Sequence, residues 1–228
     1  MDLSSESGHA TPAPVHPVLW VLTGIMVALH LLEMAAARGY VNSLFSWFYL
    51  HSAFGFFDAY FDRALAGESY PMQLYWSVVT HGFLHGGLIH LGMNCAVFLA
   101  IGHTIARTAG VKPMLVCFFT SVIAGALFFG LIAKTEAVLI GASGGVFGLL
   151  GMLTGWREML LRSYGLSRAP VWRLILGLAA VNLLFAFGTD GFGGGQLAWE
   201  AHLGGFACGW ILSRIYPPPH PGSLPGNA

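Results

Sequence analysis

Charge is scarce in this chain. Asp, Glu, Lys and Arg make up only 9% of its 228 residues, against about a quarter in ordinary globular domains. Hydrophobic residues reach 56% and mean hydropathy is +0.69. A water-soluble domain of this size cannot be covered with so few polar groups, so lipid is the expected solvent for most of the chain. The formal net charge is zero, which leaves no basic footprint for nucleic acid. Only three cysteines are present, Cys95, Cys117 and Cys208, all in apolar stretches and none in a CxxC pair. They read as small core residues rather than as metal or redox groups, and no disulfide framework is expected. The pattern H-E-x-x-H is missing, since Gly82 follows His81, and no later box of paired histidines with carboxylates completes a diiron set. No metal and no other cofactor is expected. Lys and Arg are absent from Met1 to Pro17, so the first apolar stretch lacks the positive flank of a signal peptide, although Ala35-Ala36-Ala37 resembles a cleavage site.

Long apolar runs are what the chain does have. Val18 to Ala37 is long enough to cross a bilayer, which takes about 20 residues. Leu84 to Ile105, Met114 to Ala133, Ser143 to Leu161, Val171 to Phe187 and Leu197 to Ile215 follow. The fold class expected is therefore all-α, a polytopic bundle of six transmembrane helices. Between the first two spans, aromatics crowd Leu44 to Phe61 together with His51, Asp58, Asp62 and Arg63. Rings with polar edges settle at the membrane surface, so short amphipathic helices lying in the headgroup layer are expected there. A further span is disfavoured because three charges would be costly in lipid. The Pro-rich residues 1–17 and the Pro/Gly-rich residues 217–228 are expected to be disordered tails around one membrane domain, 18–216. With six spans, Arg107, Lys112, Arg157, Arg162, Arg168, Arg173 and Arg214 share one side, and Arg38, Arg63 and Lys134 the other. The positive-inside rule then puts both termini in the cytoplasm, at a cell (inner) membrane.

Against this background the polar residues inside spans stand out. Gly141-Ala142-Ser143-Gly144-Gly145 fits G-x-S-x-G, a pattern that in soluble hydrolases sits between a strand and a helix. No such strand is expected here. Ser143 opens a span, where free N–H groups and the helix dipole favour a developing oxyanion. A plain helix cap is the alternative reading. The glycines on either side, Gly141 and Gly144, would let a substrate backbone come close. Gly144, Gly148, Gly151 and Gly155 recur on one helical face and invite close packing. His202 is an ionisable residue inside the last span, a functional candidate by default, with Gly205 and Gly209 on its own face. If its helix packs on that of Ser143, His202 can act as general base for the serine. Otherwise it is a histidine satisfied by a carbonyl or a water. His81 and His85 read as a polar, partly wet helix entrance. His90 and Asn94, four residues apart, lie deeper and suit side-chain donors to an oxyanion. Glu200, two residues before His202, points away from it, and Asp190 lies in a Gly-rich loop.

Together, the serine motif, the His202 helix and the His90-x-x-x-Asn94 pair resemble the rhomboid intramembrane serine proteases over roughly Val18 to Tyr216. The resemblance implies Ser143 as nucleophile and His202 as base, in a dyad without an acidic third member. It implies His90, Asn94 and the Ser143 backbone N–H as the oxyanion hole, and substrate contacts at Gly141, Gly144 and Phe147. The segment after the first span is similar to the family's membrane-embedded loop, and Gly188 to Gln196 to its mobile cap. The implied partners are transmembrane protein substrates within the lipid bilayer. Three positions depart from the family pattern: Phe147 where a Tyr is common, Ser77 after Trp76 where an Arg is common, and Ala106 where a Glu is common near the end of span two. Rival readings are a non-catalytic relative that binds transmembrane segments, a histidine-box metalloenzyme, and a solute transporter, for which repeated broken spans would be expected.

Overall fold

The computed structural model describes residues 14–133, 137–187 and 198–218. The expected tails therefore lie almost wholly outside the described residues, and the expected cap at 188–196 lies outside them altogether. Among the described residues are six long helices: α1 (Pro17–Ala37), α5 (Leu88–Ala109), α6 (Val111–Ile132), α7 (Ser143–Ser163), α8 (Ala169–Phe187) and α9 (Trp199–Ile215). Three short helices, α2 (Trp47–Phe54), α3 (Asp58–Leu65) and α4 (Leu74–Thr80), occupy the aromatic segment after α1. This is an all-α polytopic membrane bundle with short helices after the first span, as the hydropathy pattern predicts.

Local chemistry sets the boundaries. Pro17 opens α1 at a position where no intrahelical N–H is needed, and the His16 ring accepts from the Val18 N–H. Helix α5 begins at Leu88, not Leu84, because the chain is extended at Gly87 (φ 169°). Gly110 alone joins α5 to α6, at φ +96°, a value that favours glycine. The second span is thereby folded back on the third within one residue.

Side chains on the bundle's outer surface are apolar, among them Trp20, Leu31, Met93, Leu131, Leu176 and Ile211. Among the described residues, α1, α5 and α6 are by themselves long and apolar enough to cross a membrane, with hydropathies of 1.9, 1.6 and 2.4. Helices α7 and α9 are less apolar because their glycines and polar groups face protein. A Cβ added to Gly209 would stand 1.7 Å from the Gly148 carbonyl oxygen, and one on Gly205 would stand 2.0 Å from that of Gly144. One on Gly155 would meet Ser213 Oγ at 2.1 Å. Only glycine permits this approach, and α7 and α9 form the centre of the bundle backbone to backbone. Around them Leu19, Met26, Phe98, Met114, Phe118 and Leu149 form the main apolar core, with the Phe98 and Phe118 ring centroids 4.7 Å apart.

The aromatic segment is tied down by polar bonds. Buried Glu33 of α1 meets His51 of α2 at 2.9 Å and His30 at 3.2 Å. The Trp76 indole N–H donates to the Ala53 carbonyl and Thr80 Oγ1 to that of Phe54, each at 2.8 Å. Ser77 is buried and donates to the Leu74 carbonyl, so this loop is held without an Arg after Trp76. At the opposite end of α7, buried Glu158 accepts from Arg214 at 2.8 Å and from Arg168 at 3.3 Å. Sequence pattern leaves Glu158 unassigned; in the fold it is the buried carboxylate at the Arg-rich end of the bundle.

Candidate active site

The serine is presented by a turn between a strand and a helix. Val138–Leu139 (β2) pairs antiparallel with Phe56–Phe57 (β1), in the register Phe56 with Leu139 and Phe57 with Val138. The expectation that no strand precedes Ser143 is corrected. Each strand is two residues long, too short to show a period-two pattern, and pairing with the distant β1 creates it. After β2 the chain turns at Gly141, φ +114°, whose N–H donates to the His81 carbonyl at 2.9 Å. Ser143 is the first residue of α7 and is half-buried.

Gly141 also marks where His90 lies. A Cβ there would stand 2.7 Å from His90 Nε2 and 3.8 Å from Ser143 Oγ. The His90 ring and the serine hydroxyl therefore border the same small space. Asn94, one turn further along α5, is buried and donates one amide N–H to the His90 carbonyl at 3.0 Å.

His202 reaches this region from α9. A Cβ on Gly144 would lie 3.6 Å from the Ala201 carbonyl oxygen, so the residue after the serine packs on the residue before the histidine. The buried His202 ring lies flat on Phe147, centroids 4.2 Å apart and planes 6° from parallel. Phe147 is one helical turn beyond Ser143, so the stack holds the imidazole over the turn that carries the serine. On its other side, His202 Nδ1 contacts Asn182 Oδ1 of α8 at 2.5 Å. A cavity of about 200 Å³ opens beside this pair, lined by Phe147, Asn182, Trp199, His202, Leu203 and Phe206 among others.

The residues expected to touch substrate divide. Phe147 borders the cavity, and Gly141 borders His90 and Ser143. Gly144 is buried between Ser121, Gly125 and Ala201 and serves helix packing, because the crossing of α6, α7 and α9 closes over it. The wet entrance expected at His81 and His85 is also corrected. Both are buried, and they share no helix, since His81 lies in a 3-10 turn and His85 in the connection before α5. Burial pushes His81 down to about 4; its neutral Nδ1–H donates to the Ser77 carbonyl at 2.7 Å. Glu200 lies in the first turn of α9, and Asp190 is outside the described residues. Reasoning from sequence missed Asn182. Its signal was present: it is the one polar side chain between Arg173 and the end of α8, and a lone amide in a span needs a partner.

Among the described residues, no three His, Cys, Asp or Glu side chains are grouped to hold a metal ion. A family model described as the Rhomboid domain matches residues 73–218, more than half of the chain. The chain belongs to the rhomboid family. The matched rhomboid region runs from α4 through α9 and contains His90, Asn94, Ser143, Phe147, Asn182 and His202. RHOMBOID-like protein 4 of Arabidopsis thaliana is 32% identical over 142 residues, covering 61% of this chain and 34% of that protein. Rhomboid-like protease 1 of Toxoplasma gondii is 27% identical over 159 residues, 66% of this chain and 51% of that protein. Rhomboid protease GluP of Bacillus subtilis is 26% identical over 154 residues, 66% of this chain and 28% of that protein. The chain thus spans between 28% and 51% of the length of these relatives.

Proposed function

We propose that this rhomboid is an intramembrane serine endopeptidase that cleaves transmembrane segments with Ser143 and His202. The observation that carries the reading is the imidazole stacked on Phe147, one turn from the serine, at a helix crossing closed by glycines. In this reading Ser143 Oγ attacks the scissile carbonyl carbon and its proton passes to His202 Nε2. The tetrahedral intermediate collapses, His202 hands the proton to the leaving amine, and an acyl-serine remains. Water, deprotonated by the same imidazole, then releases the carboxylate and restores the serine. The oxyanion forms at the N-terminus of α7, where free N–H groups and the helix dipole oppose its charge. The His90 ring and the second amide N–H of Asn94 are the side-chain donors assigned to it. Phe147 has no hydroxyl, so its part is to hold the imidazole.

The relatives named as proteases and the surroundings of the site support this substrate class. Lipid is the medium for the bundle's apolar surface, and the cavity beside His202 has apolar walls, which fits an apolar segment arriving from the bilayer. The basic residues around the α5–α6 and α7–α8 links and at the end of α9 favour cytoplasmic termini, with Ser143 toward the outer face.

Covalent labelling tests the proposal directly. The full chain in detergent should react with a fluorophosphonate or isocoumarin probe at Ser143, identified by peptide mass, and a chelator should leave the reaction unchanged. Labelling at other serines only, or none, would sink it. A second expectation concerns the stack. Phe147→Tyr should retain activity, whereas Phe147→Ala frees one face of His202 and should slow turnover about tenfold or more. Equal rates for Phe147→Ala and the parent chain would remove the ring from the mechanism.

A further inference from the structure

We infer that Asn182 is a positioning residue for His202, the third member of a Ser143–His202–Asn182 relay whose orienting group is an amide from α8; this rests on the dyad reading above. An amide oxygen only accepts and an amide nitrogen only donates. Asn182 Nδ2 donates to the Leu178 carbonyl one turn back, at 2.8 Å. That bond fixes which end of the amide is which, because turning it over would set Oδ1 against the Leu178 oxygen, two acceptors face to face. Oδ1 is thereby left pointing at His202 Nδ1, at 2.5 Å. With an acceptor on that side, the proton of the contact belongs to the imidazole, and His202 carries it on Nδ1. The lone pair of the neutral ring is then on Nε2, the nitrogen that has to receive the serine proton.

Two restraints define the ring. Phe147 of α7 fixes its plane, at 4.2 Å and 6°, and Asn182 fixes its rotation and its tautomer. Without Asn182 the stacked ring can still turn about its own axis and exchange Nδ1–H for Nε2–H. The Nε2–H form cannot take a proton from serine. The other groups around the imidazole do not replace the amide. The titratable group acting on it from α5 is His90, which stands beside Gly141 and Ser143; α7 presents Phe147. Glu200, on α9 itself, sits two residues away along the helix, toward another face. Asn182 also sits where an amide is costly. It is half-buried in a span that has no other polar side chain beyond Arg173. Leaving such a group unbonded in an apolar medium is unfavourable, and here both its donor and its acceptor are used.

The test compares Asn182→Leu, which keeps volume and loses the acceptor, with Asn182→Asp, which keeps an acceptor at Oδ1 but sets its other oxygen against the Leu178 carbonyl. The full chain is labelled with 15N-histidine in detergent, and the His202 signal is identified by its loss in His202→Gln. In the parent chain at neutral pH, His202 should report an Nδ1–H tautomer. In Asn182→Leu it should report Nε2–H or a mixture, with kcat on a transmembrane substrate lowered at least about tenfold and KM little changed. Asn182→Asp should restore the Nδ1 proton and part of kcat, and should move the acidic limb of the pH–rate profile upward, because a carboxylate favours the imidazolium more than an amide does. The proposal is overturned if His202 is Nε2–H in the parent chain. It is equally overturned if folded Asn182→Leu keeps the parent tautomer and rate. The tautomer is read without any turnover, so a chain that proves unable to cleave would refute the protease reading while leaving Asn182 tested by itself.

Discussion

Ser143→Ala and His202→Ala should each reduce cleavage of a transmembrane substrate in detergent to the uncatalysed background. In a soluble serine protease, removing the nucleophile or the base costs on the order of 10⁶ in kcat. The double variant should be no slower than either single one, because a nucleophile and its base act as one unit. Ser143→Ala should keep the parent's thermal midpoint, and His202→Ala should stay folded with a midpoint lowered by a few degrees. Ser143 is half-buried at a helix start, where losing the hydroxyl leaves no core cavity. The His202→Ala variant gives up the Phe147 stack and the Asn182 contact but keeps the Gly205 and Gly209 packing. Undiminished cleavage by folded Ser143→Ala would falsify the proposed chemistry; additive losses in the double variant would show that the two residues act separately.

The second large effect is expected far from any reacting atom. Gly209→Ala should lower stability by about 3 kcal/mol or more, at the upper end of overpacking costs. It should abolish most activity as well. The new methyl carbon would stand 1.7 Å from the Gly148 carbonyl oxygen. That neighbour is backbone of α7 and cannot swing aside as a side chain would. Helix α9 must move away from α7, carrying His202 off Phe147 and away from Ser143. By the usual scaling, the thermal midpoint should fall by roughly 6 to 12 °C, and probe labelling of Ser143 should fall with it. Gly24→Ala in α1 is the control, since a Cβ there meets nothing within 4 Å, and it should leave both readouts unchanged. If Gly209→Ala matched that control, the backbone contact between α7 and α9 would not be what joins the two halves of the site.

The order of elements could be read from the chain because lipid imposes a simple rule. Each crossing needs about 20 apolar residues in a row, and the runs from Val18, Met114, Ser143 and Val171 become α1, α6, α7 and α8 with ends shifted by a few residues at most. Short helices between Leu44 and Thr80 were legible for a related reason, since aromatics mixed with charge suit neither lipid nor water alone. The errors are equally physical. His81 and His85 look like the wet end of a helix when only their spacing is known. In the fold they are buried, because Gly86 and Gly87 delay α5 and the Gly141 turn docks on the His81 backbone. The strand before Ser143 exists only by pairing with Phe56–Phe57, more than eighty residues earlier in the chain. Asn182 carried a visible signal, a single amide in an apolar span, but nothing local names its partner.

By itself, the sequence determined the solvent, the number and order of the long helices, and the few residues able to do chemistry, because hydropathy and residue type are properties of single positions and short windows. Tertiary structure alone decided how those residues meet: the serine raised on a strand-to-helix turn, Gly144 taken up in packing, the imidazole held between Phe147 and Asn182. The physical reason is that orientation and tautomer are set by contacts between α7, α8 and α9, whose facing residues lie roughly twenty to sixty positions apart, and no local pattern encodes a contact at that range.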